Sequence, residues 1–419
     1  MKKKFFILFY IFLLVIIQLT NVCFSDDLCD DDNIPVSSEF VSSPTSSQIE
    51  KNISNINSRA CVVIDRTTNT VLYGKNENSV RKMASTTKIM TATIIIENCN
   101  LDDTIEISKK AAGTGGSRLG LKTGDKITVR DLLYGLMLCS GNDAAVALAE
   151  HAGGDISGFS ELMNNKAKEL GLLNTHFETP HGLDADEHYT TAYELALLSN
   201  YALNNKIFAQ IVGTKNYTVV LNGYPKNLSN TNELLGNLDG VYGIKTGFTN
   251  GANRCLVSAC KRNDMDIICV VLGADTKNFR TSDSIKLINF VFDNFKVVNL
   301  EASINDEFEK WKSENKNFYI NKGKVQSFEI RLENCESSYN FPIKKDLINS
   351  LVYSIDCQTN FDAPVFNNVE IGSLKVSIQD DVFINCKIYT SSCVEKKSIF
   401  SYFSYFIKDF PSIIQENFI

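Results

Sequence analysis

The chain has 419 residues, of which 44% are apolar and 22% charged, the usage of an ordinary globular protein long enough for two or three domains. Its formal net charge of -7 is spread along the sequence without a basic patch. This distribution argues against nucleic acid as a partner and identifies no other charged ligand.

The first 25 residues have the pattern of an export signal. Lys2-Lys3-Lys4 precedes an apolar stretch over residues 5–17, and Cys23-Phe24-Ser25 supplies small residues on both sides of a cleavage point. A permanent membrane helix is the weaker alternative, because thirteen apolar residues are short for about 30 Å of hydrocarbon. We therefore expect an exported protein that begins near Asp26 with a solvated linker over residues 26–55, rich in Ser, Asp and Asn.

Residues 56–300 predict strands at both ends and helices in the middle. The predicted strands cover 60–65, 70–74, 217–221, 241–245, 255–261 and 266–273, and the predicted helices cover 85–98, 129–153, 156–170, 191–203 and 284–295. The helical pattern over 129–153 is interrupted by the polar segment Cys139-Ser140-Gly141-Asn142. An antiparallel sheet built from both ends of this region and covered by the central helices is the most economical arrangement.

The remainder of the chain predicts two further segments. Short alternating runs over residues 301–393 indicate a small β-rich domain. Residues 396–419 place aromatic and aliphatic side chains at intervals of three and four, which predicts an amphipathic helix. Its embedded charges and Pro411 suit the membrane interface better than a membrane span, and docking on the second domain is the alternative.

Three short motifs occur in a fixed order. Ser85-x-x-Lys88 places a hydroxyl one helical turn from an amine, Ser140-Gly141-Asn142 forms the polar break, and Lys245-Thr246-Gly247 ends a predicted strand. Each motif alone is weak, and Ser85-x-x-Lys88 by itself is more typical of a helix-capping serine and a solvated lysine. Together they match the signature of penicillin-binding proteins and class A β-lactamases.

The chain resembles the low-molecular-mass penicillin-binding proteins of peptidase family S11, which are serine-type D-alanyl-D-alanine carboxypeptidases. The motif surroundings and the loop Pro180-His181-Gly182-Leu183 also resemble that family. The resemblance implies an α+β fold: a transpeptidase-like domain with an antiparallel sheet and helices on both sides, then a small β-rich domain and a C-terminal amphipathic anchor helix.

The resemblance also implies a role for each site residue. Ser85 is the acyl-ester nucleophile, Lys88 its general base when neutral, and Ser140 a proton relay to the leaving amine. Asn142 holds Lys88 and the substrate backbone. Lys245, Thr246 and Gly247 bind the substrate carboxylate, and the backbone N–H of Phe248 completes an oxyanion hole with that of Ser85.

Several residues are set aside. A second Lys-Thr-Gly at Lys122 precedes Ser140 and is interpreted as a turn. Arg254 and Arg280 could add positive charge near the carboxylate site, but they are equally well explained as solvated surface residues.

The four histidines form no His-Glu-x-x-His motif, so we expect neither metal nor cofactor. We expect mostly free thiols among the twelve cysteines, with Cys335, Cys357, Cys386 and Cys393 as the better disulfide candidates.

The expected function is removal of the terminal D-alanine from peptidoglycan stem pentapeptides ending in D-Ala-D-Ala. The expected location is the outer face of the cytoplasmic membrane or the cell wall. No Glu-x-x-Leu-Asn stretch follows to supply a deacylating glutamate, so β-lactams are expected to be slow-leaving covalent inhibitors. The alternative is a non-catalytic penicillin-binding sensor or wall-binding protein on the same fold.

Overall fold

A computed structural model describes residues 53–315, 318–333, 339–378 and 381–399. These residues form two compact units, the first ending at Asn294 and the second beginning at Phe295, whereas the sequence placed this boundary after residue 300. The predicted export signal, most of the linker and the C-terminal helix from residue 400 onwards lie outside the described residues. None of the helices within the described ranges is long and apolar enough to cross a membrane.

The first unit mixes strands and helices. Its strands are β1 (Ala60–Asp65), β2 (Val71–Lys75), β3 (Thr104–Glu106), β4 (Lys126–Thr128), β5 (Asn216–Leu221), β6 (Tyr224–Ser229), β7 (Val241–Thr249), β8 (Asn253–Arg262) and β9 (Met265–Ala274). Its helices are α1 (Lys88–Asn98), α2 (Lys109–Gly113), α3 (Val129–Leu138), α4 (Asn142–Gly153), α5 (Ile156–Glu169), α6 (Ala192–Leu203), α7 (Lys206–Val212) and α8 (Lys277–Asn294).

A five-stranded sheet in the order β2-β1-β9-β8-β7 forms the centre of this unit. Every neighbouring pair is antiparallel, and strands from both ends of the region lie side by side, which confirms the predicted arrangement. All six residues of β1 are buried, so both faces of the sheet are covered. Helix α6 packs on β1 and β9, and α8 packs on β8 and β9.

The helical break predicted at Cys139 is present between α3 and α4. The Gly141 N–H donates to the Gly135 carbonyl at 3.0 Å, which closes the end of α3. Ser140 adopts a left-handed backbone conformation with φ of 61°. The break therefore turns the chain sharply, and α4 begins at Asn142 inside the protein.

Two predicted helices begin differently from the sequence pattern. Ser85 is not a helix cap: it lies within a short 3-10 turn over Ala84–Thr87 that has no side-chain cap, and α1 follows from Lys88. Helix α8 begins at Lys277 rather than at 284. Its first turns are largely polar yet contain the buried Asp283, whose carboxylate accepts from the Ser58 N–H at 2.8 Å. A prediction from apolar periodicity misses the beginning of a helix whose buried residues are polar.

The second unit is rich in strands, as predicted. Its elements are β10 (Phe295–Asn299), α9 (Glu301–Glu314), β11 (Tyr319–Asn321), β12 (Ile330–Leu332), β13 (Asn340–Lys344), β14 (Val352–Cys357), β15 (Asn360–Asp362), β16 (Glu370–Ile378) and β17 (Asp381–Thr390). Four of them form a sheet in the order β12-β17-β16-β14. A separate apolar core, with Leu374, Val376 and Ile388 fully buried, stabilises this unit.

Most cysteines among the described residues are free thiols, as expected from the sequence. Cys139 and Cys386 each take part in a disulfide bond, and only Cys386 was among the disulfide candidates from the sequence. Burial raises the pKa of Cys61 and of Cys260 to about 12, which keeps both thiols protonated and unreactive. The free thiols among the described residues are Cys61, Cys99, Cys255, Cys260, Cys269, Cys357 and Cys393.

Candidate active site

Ser85 lies in a strained turn between the end of the sheet and α1. The preceding residue, Ala84, has a φ of 47°, in the region that residues with a side chain rarely adopt. A methyl group at Gly182 would lie 1.9 Å from the Ala84 carbonyl oxygen, so only glycine lets the Pro180-to-Leu183 loop pack there. The turn is thus clamped by that loop, and Ser85 is only 3% exposed.

Lys88 is fully buried beside Ser85. Its Nζ lies 2.9 Å from Ser85 Oγ and donates to Asn142 Oδ1 at 2.8 Å and to the carbonyl oxygen of His181 at 2.7 Å. The Asn142 and His181 oxygens can only accept hydrogen bonds. In a neutral amine they take its two hydrogens, so the remaining lone pair faces the Ser85 hydroxyl. The predicted pairing of Ser85, Lys88 and Asn142 is present in the structure.

Asn142 is fixed at both ends of its amide. Besides accepting from Lys88, it donates one Nδ2 hydrogen to the Gly115 carbonyl at 2.8 Å, which leaves a second hydrogen for another acceptor.

Asp143 is a fully buried residue that the motifs did not identify, and it holds the loop that carries Gly115. Its carboxylate accepts from the backbone N–H groups of Leu119, Gly120 and Leu121 at 2.7–3.0 Å. An acid directly after the Ser-Gly-Asn motif, in the first turn of α4, was the available signal.

Ser140 occupies the helical break and is 2% exposed. Its Oγ is buried and makes no hydrogen bond within the described part of the chain. A buried hydroxyl without a partner costs roughly 1–3 kcal/mol. Such a group is poised to bond a ligand, although the structure does not bring it into hydrogen-bond contact with Lys88 or Ser85.

Strand β7 carries the third motif against the Ser85 turn. Lys245 and Thr246 are each 1% exposed, and Thr246 Oγ1 lies 2.6 Å from Thr231 Oγ1. A methyl group at Gly247 would lie 3.0 Å from the Ser85 backbone nitrogen, so glycine permits this close approach. The structure therefore brings all three predicted motifs into one site.

Comparison with known proteins agrees with this geometry. Residues 45–276 match the family model described as Peptidase S11, D-alanyl-D-alanine carboxypeptidase. The chain belongs to this family.

Individual relatives and solved structures match between 57% and 88% of this chain. A D-alanyl-D-alanine carboxypeptidase, DacF of Bacillus subtilis, is 34% identical over 82% of this chain and 87% of its own length. The crystal structure of DacD from Francisella tularensis has a TM-score of 0.64, with 26% identity over 88% of this chain and 98% of that one. A point mutant of the DD-transpeptidase from Streptomyces K15 has a TM-score of 0.55 and 37% identity over 57% of this chain and 98% of that one.

Two arginines that the sequence left aside are buried. Arg254 is 6% exposed, and its guanidinium stacks 3.8 Å from the centre of the Phe248 ring. Arg280 is fully buried and forms an ion pair with Glu233 at 3.3 Å. Neither is a solvated surface charge, so that interpretation was wrong. An isolated arginine in a sequence carries no signal of its burial.

In this member of the carboxypeptidase family, His188 stabilises the Ser85 turn through hydrogen bonds to Thr87. Its Nδ1 accepts from the Glu178 N–H at 3.0 Å, so in the neutral ring Nε2 carries the hydrogen and donates to Thr87 Oγ1 at 2.7 Å. Thr87 Oγ1 in turn donates to the Ala84 carbonyl at 2.8 Å. Burial lowers the pKa of His188 to about 4, which keeps the ring neutral and this chain of hydrogen bonds intact at neutral pH.

The second Lys-Thr-Gly has the location expected of a turn. Lys122, Thr123 and Gly124 are exposed between α2 and β4, and Gly124 has a φ of 84°. Nothing in this segment contacts Ser85 among the contacts the structure describes. Lys122 therefore offers a matched control for experiments on Lys245 and Lys88.

Proposed function

We propose that this protein removes the terminal D-alanine from peptidoglycan stem pentapeptides through an acyl-enzyme on Ser85. The observation that carries the proposal is the hydrogen-bond set of Lys88. Two fixed carbonyl acceptors, at 2.8 Å and 2.7 Å, direct the lone pair of the neutral amine at the Ser85 hydroxyl. A lysine held in this way is a base for one specific oxygen.

The proposed reaction has two steps. Lys88 takes the Ser85 proton while Oγ bonds to the carbonyl carbon between the two D-alanines, and the C–N bond then breaks. The departing amine takes the proton that Lys88 accepted, relayed through Ser140, whose buried hydroxyl has no other partner within the described residues. Water then attacks the Ser85 ester, which releases the shortened peptide and restores the hydroxyl.

Substrate orientation follows from the residues on β7. The Lys245 cation and the Thr246 hydroxyl bind the terminal carboxylate of the substrate. The backbone N–H groups of Ser85 and Phe248 bind the developing oxyanion, where one such donor is typically worth about 3 kcal/mol. The close approach of Gly247 to the Ser85 turn, where a methyl group would lie 3.0 Å from the Ser85 nitrogen, supports this assignment.

Release of D-alanine tests the proposal. The purified protein without its export signal and without residues 396–419 is incubated with a peptide ending in D-Ala-D-Ala, and free D-alanine is measured. We expect turnover, together with covalent labelling of Ser85 by penicillin. Labelling without release of D-alanine would favour the penicillin-binding sensor, and absence of both would reject the acylation site.

We further propose that the protein is exported and held at the outer face of the cytoplasmic membrane. The support is the amphipathic pattern of residues 396–419, with Phe403, Phe406 and Phe410 on one face. Deleting residues 396–419 is expected to move the protein from the membrane fraction to the soluble fraction after cell breakage. Retention of the truncated protein in membranes would instead indicate an uncleaved N-terminal segment.

A further inference from the structure

One cavity with a cationic lining is not used by the mechanism above. It has a volume of about 450 Å³ and is lined by the turn from Asn250 to Asn253, by Gly273 and by three cationic side chains, Arg59, Arg81 and Lys82. No acidic residue lines it within the described part of the chain. A cavity with this lining has the charge and size to receive an anionic side chain.

Two of the three cations are available to a ligand. Arg59 is already bound, with Asp275 at 3.1 Å and the Gly273 carbonyl at 2.8 Å. Arg81 and Lys82 form no ion pair with any residue that the structure describes, and the buried Nε of Arg81 has no hydrogen-bond partner there. The turn opposite them is fixed, since Asp184 accepts from Thr249 Oγ1 at 2.8 Å and from the Gly251 N–H at 2.9 Å.

Chain connectivity places the cavity close to the reacting carbonyl. Lys82 precedes Ser85 by three residues, and Asn250 follows Phe248 by two. Ser85 and Phe248 are the two residues proposed to supply the oxyanion donors. Because two to three residues span at most about 7–11 Å, Lys82 and Asn250 lie no farther than this from Ser85 and Phe248 respectively.

The direction in which the substrate chain runs along β7 determines which of its residues lies nearest the cavity. Under the proposed function, the terminal carboxylate lies at Lys245 and Thr246 and the scissile carbonyl lies at Phe248. Continuing along β7 in the same direction leads to Asn250 and the cationic cavity. The residue before D-Ala-D-Ala is therefore the next part of the substrate along this direction, toward the turn that lines the cavity together with Arg81 and Lys82.

We propose that this cavity is a subsite for a carboxylate on the side chain of the residue preceding D-Ala-D-Ala, bound by Arg81 and Lys82. This inference rests on the proposed function and specifies the substrate class of the same site. The side chain must be long, because the cavity lining begins two to three residues from the proposed oxyanion donors. A neutral side chain of equal length gains no ionic contact there.

The test compares two substrates that differ only in this charge. One is Nα-acetyl-2-aminopimelyl-D-Ala-D-Ala with a free side-chain carboxylate, and the other is its side-chain amide. The wild-type protein is expected to favour the carboxylate about tenfold in kcat/KM. The double variant Arg81→Gln/Lys82→Gln should bring this ratio to about one while hydrolysing the amide at close to the wild-type rate. The control Lys122→Gln should keep the wild-type ratio.

The outcomes separate this inference from the proposed function. Equal rates on the two substrates in the wild type, or an unchanged preference in the double variant, would reject the subsite while leaving the carboxypeptidase activity established. Hydrolysis of neither substrate would reject both. If the double variant fails to fold, the wild-type preference is measured from about 0.05 to about 1 M NaCl, over which an ionic contact weakens. A preference that salt does not reduce would overturn the proposal.

Discussion

Replacing Ser85 by alanine is expected to abolish both D-alanine release and covalent labelling by penicillin. The alanine variant lacks the oxygen that forms the ester, so only slow hydrolysis assisted by the remaining site is left, and a loss of at least about 10⁴-fold in kcat is expected. Labelling followed by mass spectrometry of the peptide that contains residue 85 provides the measurement. The loss of activity should come without unfolding, because the change removes one small hydroxyl, which lies 2.9 Å from Lys88 Nζ, and leaves the apolar core intact.

One observation would contradict this assignment of the nucleophile, and the stability of the variant is its control. Penicillin labelling that persists in Ser85→Ala would place the acylated oxygen elsewhere. A large fall in the melting temperature of the variant would leave the activity loss attributable to unfolding, so far-UV circular dichroism and thermal unfolding are measured on the same sample. An unchanged unfolding curve with no labelling supports the proposed acyl-enzyme.

The Lys88→Met variant is expected to show the second largest effect. Methionine fills a similar volume but removes the base and leaves the Asn142 and His181 oxygens without their donor. The rate of penicillin acylation should fall by about 10²–10⁴-fold, the usual contribution of a general base. The measurement is the second-order rate constant for labelling.

The same experiment on Lys122 provides the control for Lys88. Lys122 belongs to the exposed second Lys-Thr-Gly, and Lys122→Met should acylate within about twofold of the wild type because the side chain is solvated. Acylation of Lys88→Met at a rate near that of the wild type would show that another group takes the Ser85 proton.

Local patterns were sufficient to predict much of the fold. The strands β1, β8 and β9 are continuous apolar runs, and the helices α3 and α4 have strong periodicity around one polar break, so each was predicted within a few residues. The beginning of α8 was misplaced because its buried groups are polar. The 3-10 turn at Ser85 was interpreted as part of a helix because its strain comes from contacts with a distant loop.

The site was predictable as a set of residues but not as a geometry. Ser85, Lys88, Asn142 and Lys245 were identified from short motifs whose residue types have defined chemistry. The second acceptor of Lys88 is the backbone carbonyl of His181, which any residue could supply. Asp143 and His188 act through contacts with backbone and hydroxyl groups 10 to 101 residues away. The position of Asp143 directly after the Ser-Gly-Asn motif was a signal for it, whereas His188 lies in no motif.

By itself, the sequence determined the family, the order of the three motifs and which residue types could perform acyl transfer, because these depend on neighbouring residues along the chain. Only the tertiary structure decided how closely Gly247 approaches the Ser85 turn, which oxygens accept hydrogen bonds from Lys88, and where Arg81 and Lys82 meet the turn after β7. Those features join segments from both ends of the sheet and from the helices between them. Their physical cause is the antiparallel pairing of distant strands, which brings β7 against the turn before α1.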